Sequence, residues 1–223
     1  MMPSEYYGEV QPRRKRATAD IDPRSQAAYT LAEAAHHLRL SPGTLRSWVV
    51  GRPYPTALGT RTFAPLIRPA SKQPLTLSFW DLVEAHVLRA LRKDHQVKVE
   101  AKTCSLRLAG CFSSATASSL SSASGQVAMR QVFEQHLQRV DWDARSLPVR
   151  LYPFVSVDGP GDARPIAIDP NVAFGRPVVQ RAGVSTRAIA ERLDAGESIT
   201  DLAADYDLTP VEVEQAAVYE RAA

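Results

Sequence analysis

In residues 29–48 the apolar positions Leu31, Ala34, Ala35 and Leu38 recur at helical spacing, pause over a polar stretch, and resume with Leu45 and Trp48. That pattern predicts two short helices, each burying one face. Their start signals are local. Thr30 can accept the backbone N–H of Glu33 while Glu33 reaches back to Thr30, a reciprocal capping box. Ser41 followed by Pro42 marks the second start, because proline lacks only an N–H that the first helical turn leaves unbonded anyway. After a Pro/Gly-rich stretch at 51–59, residues 62–77 hold two β-prone runs around a polar turn carrying Arg68 and Lys72, which predicts a hairpin. Ser78 with Asp81 then caps a third helix, striped by Phe79, Leu82, Val83, Val87 and Leu91.

Periodicity fails over residues 102–125, a Ser/Ala-rich tract that reads as a linker. A helical stripe returns with Met129, Val132, Phe133, Leu137 and Val140. Residues 148–155 read as a short edge strand, since Pro148 and Pro153 cannot donate inside a sheet. Three further helices open at Ser185, Ser198 and Thr209-Pro210, with Ile189 and Leu193, Leu202 and Ala203, and Val213, Ala216 and Ala217 facing inward, and Gly196 stopping the first. The fold class expected is mainly α: a winged helix-turn-helix at 28–95 and a three-helix, helix-turn-helix-like unit at 161–223. A connecting region at 96–160 supplies a short β element and the Ser/Ala tract, and residues 1–27 form a flexible basic arm containing Arg13-Arg14-Lys15-Arg16.

Charge separates the ends. Lys and Arg number 15 against 9 Asp and Glu over residues 1–100, 9 against 6 over 101–184, and 3 against 9 over 185–223, so regional charges of +6, +3 and −6 make up the net +3. A basic front favours polyphosphate through counterion release, and an acidic rear is repelled by it. In the front, the second helix turns Gly43, Thr44, Arg46 and Ser47 away from the core, small or cationic groups suited to a groove edge and to phosphates. In the rear, the corresponding helix carries Glu212 and Glu214 beside Asp205 and Asp207, so this unit should meet protein rather than nucleic acid.

Catalytic readings find little to stand on. Gly-rich phosphate loops, nucleophile elbows and Cys/His clusters are absent from the sequence, and the His36-His37 pair has no third ligand at metal spacing. Asp141 and Asp143 around Trp142 read as a solvated turn, and His136 as a boundary residue. Cys104 and Cys111 are too few for a disulfide framework, which fits a reducing cytoplasm. No apolar run approaches the roughly 20 residues of a membrane helix. The expectation is a non-enzymatic protein without cofactor or metal.

Residues 29–92 resemble a winged helix-turn-helix domain of the MerR type, on Thr44-Leu45-Arg46-Ser47-Trp48 and Ser78-Phe79-Trp80-Asp81-Leu82. The resemblance implies operator contacts from Ser41, Gly43, Thr44, Arg46 and Ser47 in the major groove, with Arg52, Arg61, Arg68 and Lys72 on the wing and its flanks. The C-terminal block resembles a small helical domain of a family without assigned function, on Asp169-Pro170, Gly175-Arg176-Pro177, Arg181-Ala182-Gly183-Val184 and Leu208-Thr209-Pro210. That domain is typical of antitoxins paired with PIN-domain ribonucleases. In combination the two units resemble a VapB-type antitoxin, which implies a PIN-domain toxin as partner, autorepression at operator DNA, and a homodimer or larger hetero-oligomer. A PIN site holds a divalent metal with carboxylates, so Gly175, Arg176 and Arg181 become the candidate toxin-binding residues. Two alternatives stay open: a stand-alone MerR-like transcriptional regulator, and an adaptor whose two helical units both bind protein. The resemblance would also put an amphipathic helix and a strand in the 101–124 tract, and its abrupt departure there is what a locally shifted reading frame would produce.

Overall fold

A computed structural model describes residues 22–57, 59–95, 138–145, 147–154 and 164–221. Residues 1–21 of the expected arm, with its Arg13–Arg16 cluster, the Ser/Ala tract with its two cysteines, and Met129, Val132, Phe133, His136 and Leu137 lie outside them; Val140, expected to end a helical stripe, is in a strand instead, and residues 23–25 of the arm form a short 3-10 turn. The described front runs β1 (Tyr29–Thr30), α1 (Leu31–His37), α2 (Pro42–Val50), β2 (Arg52–Thr56), β3 (Gly59–Phe63), β4 (Ser71–Lys72), β5 (Leu75–Leu77) and α3 (Phe79–His95). The remainder runs β6 (Val140–Trp142), β7 (Pro148–Phe154), β8 (Ile166–Ile168), β9 (Val178–Val179), β10 (Val184–Ser185), α4 (Thr186–Asp194), α5 (Ile199–Asp205) and α6 (Pro210–Arg221).

The expected mainly α class with one short β element is wrong. Ten strands form three sheets among the described residues: β1-β5-β4, the β2–β3 hairpin, and a five-stranded antiparallel sheet in the order β10-β9-β8-β7-β6. Strands of two or three residues leave no alternation to read, so their existence depends on partners distant in sequence. Nor is β7 an edge strand, since β8 and β6 flank it. Its prolines are accommodated because Pro148 opens the strand and Pro153 falls where the register with β8 shifts, between Leu151 and Phe154. The hairpin expected over 62–77 is also redrawn. Thr62 and Phe63 pair backward with Pro53 and Arg52, turning the supposed loop at 51–59 into a strand, while Ser71 and Lys72 pair with Thr76 and Leu75.

The helix starts follow local chemistry more closely. The Thr30–Glu33 capping box forms in both directions, Ser41 accepts the Thr44 N–H, and Ser78 and Asp81 exchange backbone bonds at α3. Ser198 accepts the Asp201 N–H, and Thr209 and Glu212 form a second capping box at α6. Ser185 departs from this pattern. It occupies the N-cap of α4 without a side-chain bond, its backbone pairing with Val178 in the sheet.

Two cores meet at the five-stranded sheet. One packs Leu38, Leu45, Trp48, Ile67, Leu77, Phe79 and Leu82 with Val140, Leu151 and Ile168; the other packs Ile166 and Val179 with Ile189, Leu202, Val213, Ala216 and Tyr219. The boundary expected at 160/161 therefore falls between strands of one sheet. Arg24 adds a tie from the front to β6, bonding Asp143 at 3.0 Å, and Asp143 also accepts the Arg145 and Leu147 N–H groups of its own turn. Asp141 accepts the Tyr152 hydroxyl at 2.7 Å, so both carboxylates are structural anchors. Among the described residues no helix is long and apolar enough to cross a membrane, and no group of three His, Cys, Asp or Glu is placed to hold a metal.

Candidate nucleic-acid interface and partner loop

The caps and core of the front leave one face of α2 outward. Leu45, Trp48 and Val49 are buried, while Ser41, Gly43 and Arg46 are exposed. Thr44 and Ser47 are half-buried, and their hydroxyls are already engaged: Ser41 Oγ donates to Thr44 Oγ1 at 2.8 Å, and Ser47 Oγ donates to the Thr44 carbonyl at 2.7 Å. Gly51 then turns the chain straight from α2 into β2. Its φ of +83° suits glycine, and a Cβ there would come within 2.4 Å of the Phe63 carbonyl oxygen.

The hairpin β2–β3 projects with four of five residues on each strand exposed. Residues that pair across an antiparallel ladder share a face. The register Arg52↔Phe63, Tyr54↔Arg61 and Thr56↔Gly59 therefore puts Arg52, Arg61 and the ring of Tyr54 on one side of the ribbon. Returning from the hairpin, the N–H groups of Leu66 and Ile67 both donate to the Trp48 carbonyl, at 2.7 and 3.0 Å. That double bond ties the segment carrying Arg68 to the last turn of α2. Lys72 follows on β4. Arg46, Arg52, Arg61, Arg68 and Lys72 are all exposed, and none has an ion-pair partner among the described residues. Unpaired cations on three neighbouring elements are what a polyanion needs, because none must first leave a carboxylate.

The C-terminal unit reverses this arrangement. Arg187 pairs with Glu191, Arg192 with Glu197 and Asp205, and Arg221 with Asp194. Arg181 bonds both carboxylate oxygens of Glu212, at 3.1 and 3.2 Å, and also contacts Asp207. Burial opposes the charge on Glu212, but the Arg181 guanidinium and the Thr209 cap outweigh it and hold the carboxyl below its ordinary pKa. Arg181 thus anchors the loop before α4 to the start of α6.

Arg176 is exposed and has no ion-pair partner among the described residues. It follows a turn of three residues with left-handed backbones, Ala173, Phe174 and Gly175, at φ of +47°, +56° and +76°. Gly175 is buried beneath the front unit: its carbonyl accepts the Tyr29 hydroxyl at 2.8 Å, and a Cβ would lie 2.3 Å from that hydroxyl oxygen. The turn leaves the Phe174 side chain almost wholly exposed, at 92%. Non-glycine residues held in this backbone region carry strain that the surrounding fold must sustain.

The same seam continues along α1. Tyr219 donates to the His37 carbonyl at 3.1 Å, His36 contacts Glu220 at 3.0 Å, and the Arg39 guanidinium stacks on Phe154 at 4.7 Å. Between the front unit and the 170–176 loop lies a cavity of about 270 Å³, walled by Tyr29, Phe79, Pro170 and Phe174 with Glu33, His37 and Arg176 among its polar residues. Burial, with His36 nearby, lowers the His37 pKa to about 4, and its Nδ1 is buried without a hydrogen-bond partner. Sequence patterning gave no hint of this cavity, whose walls come from residues about 150 positions apart.

The sequence profile of DUF433, a protein family of unknown function, matches residues 166–219. A candidate antitoxin of Mycobacterium tuberculosis (strain ATCC 25618 / H37Rv), VapB45, is 26% identical over 226 residues, which cover 84% of this chain and 91% of that protein. The crystal structure of Rv2018 from Mycobacterium tuberculosis superposes with a TM-score of 0.59 at 21% identity, covering 86% of this chain and 97% of that one. The chain is thus similar to VapB45 through both of its units, and it shares its fold with Rv2018.

Proposed function

We propose that this chain is an antitoxin that binds and neutralises a PIN-domain ribonuclease and represses its own operon through the N-terminal unit. The observation that carries the reading is the likeness to a candidate antitoxin over 84% of the chain, with both units included. The separation of free cations supports the division of labour. In this reading α2 enters the major groove, where Ser41, Gly43 and Arg46 face base edges or phosphate and the intrahelical bonds of Thr44 and Ser47 fix the local shape. Arg52 and Arg61 follow the backbone along the hairpin, and Arg68 and Lys72 extend the positive surface. Two copies would read paired half-sites about one helical turn apart.

For the nuclease, Arg176 is the cation we assign to the metal-binding carboxylates. A guanidinium offered to paired carboxylates forms strong bidentate bonds and competes with the cation that the nuclease needs. Gly175 contributes by shaping the turn that presents Arg176, and Arg181 by bracing the loop on Glu212. The test is co-purification of the tagged chain with the product of the adjacent open reading frame, followed by ribonuclease assay of that product alone and in complex. A stable complex with silenced activity is expected. An uninhibited nuclease, or no complex, with operator binding intact would return the chain to the stand-alone regulator class.

A further inference from the structure

The cavity between the front unit and the 170–176 loop contains two opposite charges that do not pair with each other. Glu33 and Arg176 both line it, and each lacks the other within ion-pair distance, although the Arg176 charge is near enough to favour ionised Glu33. One Glu33 oxygen is held by the Thr30 N–H and hydroxyl, at 2.8 Å each, which fixes the carboxylate in place without neutralising it. Arg176 has no partner to release. Apart from Gln26 and His37, the remaining walls are apolar, with Ala28, Phe79, Pro170 and the rings of Tyr29 and Phe174 among them. His37 adds an imidazole whose Nδ1 is buried and unbonded.

We propose that this cavity binds a small zwitterion with an apolar body, the chemical class of an apolar α-amino acid. Its carboxylate bonds the Arg176 guanidinium, its ammonium bonds the open oxygen of Glu33, and its side chain lies among the proline and aromatic walls. A purely anionic ligand would face Glu33, and a purely cationic one would face Arg176, so only a molecule bearing both charges satisfies both groups. The strained turn fits the same role, because it holds the Phe174 ring at the rim where a ligand would cover it. The volume of about 270 Å³ accommodates a ligand of this size.

The test needs the full-length protein alone. Isothermal titration with L-leucine and L-phenylalanine is expected to give saturable, one-site binding, and N-acetyl-leucine and leucinamide, each missing one charge, are expected to bind about tenfold or more weakly. Arg176→Gln and Glu33→Gln should each lose a similar factor. Glutamine at position 33 retains the capping box, so the second variant removes charge without removing the helix start. Absence of binding by every member of a panel of apolar amino acids would overturn the proposal. So would binding that both variants leave unchanged. Neither result touches the antitoxin reading, since no nuclease is present.

Discussion

Two residues at the seam between the units set measurable costs. Gly175 combines a left-handed φ of +76° with a buried carbonyl that accepts the Tyr29 hydroxyl, and a Cβ would occupy the space of that hydroxyl. Gly175→Ala must therefore strain the turn and displace Tyr29, a loss of roughly 1–3 kcal/mol that urea unfolding will register as a lower midpoint at unchanged slope. His37 works through protons. Burial, with contributions from His36 and Arg176 against those of Glu220 and Glu33, lowers its pKa from the ordinary 6.5 to about 4. The unfolded chain then takes up the proton first. Its contribution to stability is intact above pH 6.5 and is lost as pH falls toward 4, by roughly 3 kcal/mol in all. Relative to His37→Gln, the wild-type chain should lose that amount across this window and nothing above pH 7. Parallel stability curves for the two proteins would mean that His37 titrates in the fold as it does in the unfolded chain.

At the level of elements, what was legible in the sequence was what depends on neighbours along the chain. The caps at Thr30, Ser41, Ser78, Ser198 and Thr209 each need one residue two or three positions away, and all five make their bonds. The strands need partners elsewhere, and most of them were missed. β2 was hidden further by Pro53 and Pro55, and by facing solvent on both sides, so that no alternation of apolar and polar residues marks it. The same distinction divides the candidate arginines. Arg176 and Arg181 are alike in sequence, and only the pairing of Arg181 with Glu212, 31 residues on, separates a braced cation from a free one. The exposed hairpin carries its own prediction. If Arg52 and Arg61 each contact a phosphate, Arg52→Ala with Arg61→Ala will lower the slope of log affinity against log salt by about 0.9 per contact, uniformly across operator sequences. An unaltered slope in a gel-shift salt series would remove the ribbon from the interface.

Among the described residues, exposed cations without ion-pair partners include those of the α2–β4 region and Arg176, while the C-terminal helices hold their arginines in internal ion pairs. Shared cores prevent the two units from being independent beads, because β8 contributes Ile168 to one core and Ile166 to the other. Substitutions confined to exposed side chains leave that architecture intact, so the two proposed activities should be separable by charge alone. Arg46→Ala with Arg61→Ala is expected to weaken operator binding about tenfold or more at physiological salt, yet to leave nuclease inhibition at the wild-type level. Arg176→Glu should do the reverse, since a carboxylate turned toward the carboxylates of the nuclease replaces attraction with repulsion. Circular dichroism on both variants checks that the fold is kept, and the paired assays are then read together. If Arg176→Glu inhibits as well as wild type, the inhibitory contact lies elsewhere on the acidic unit. If one variant loses both activities while folded, the two faces act as a single surface, and the division of labour argued from charge is wrong.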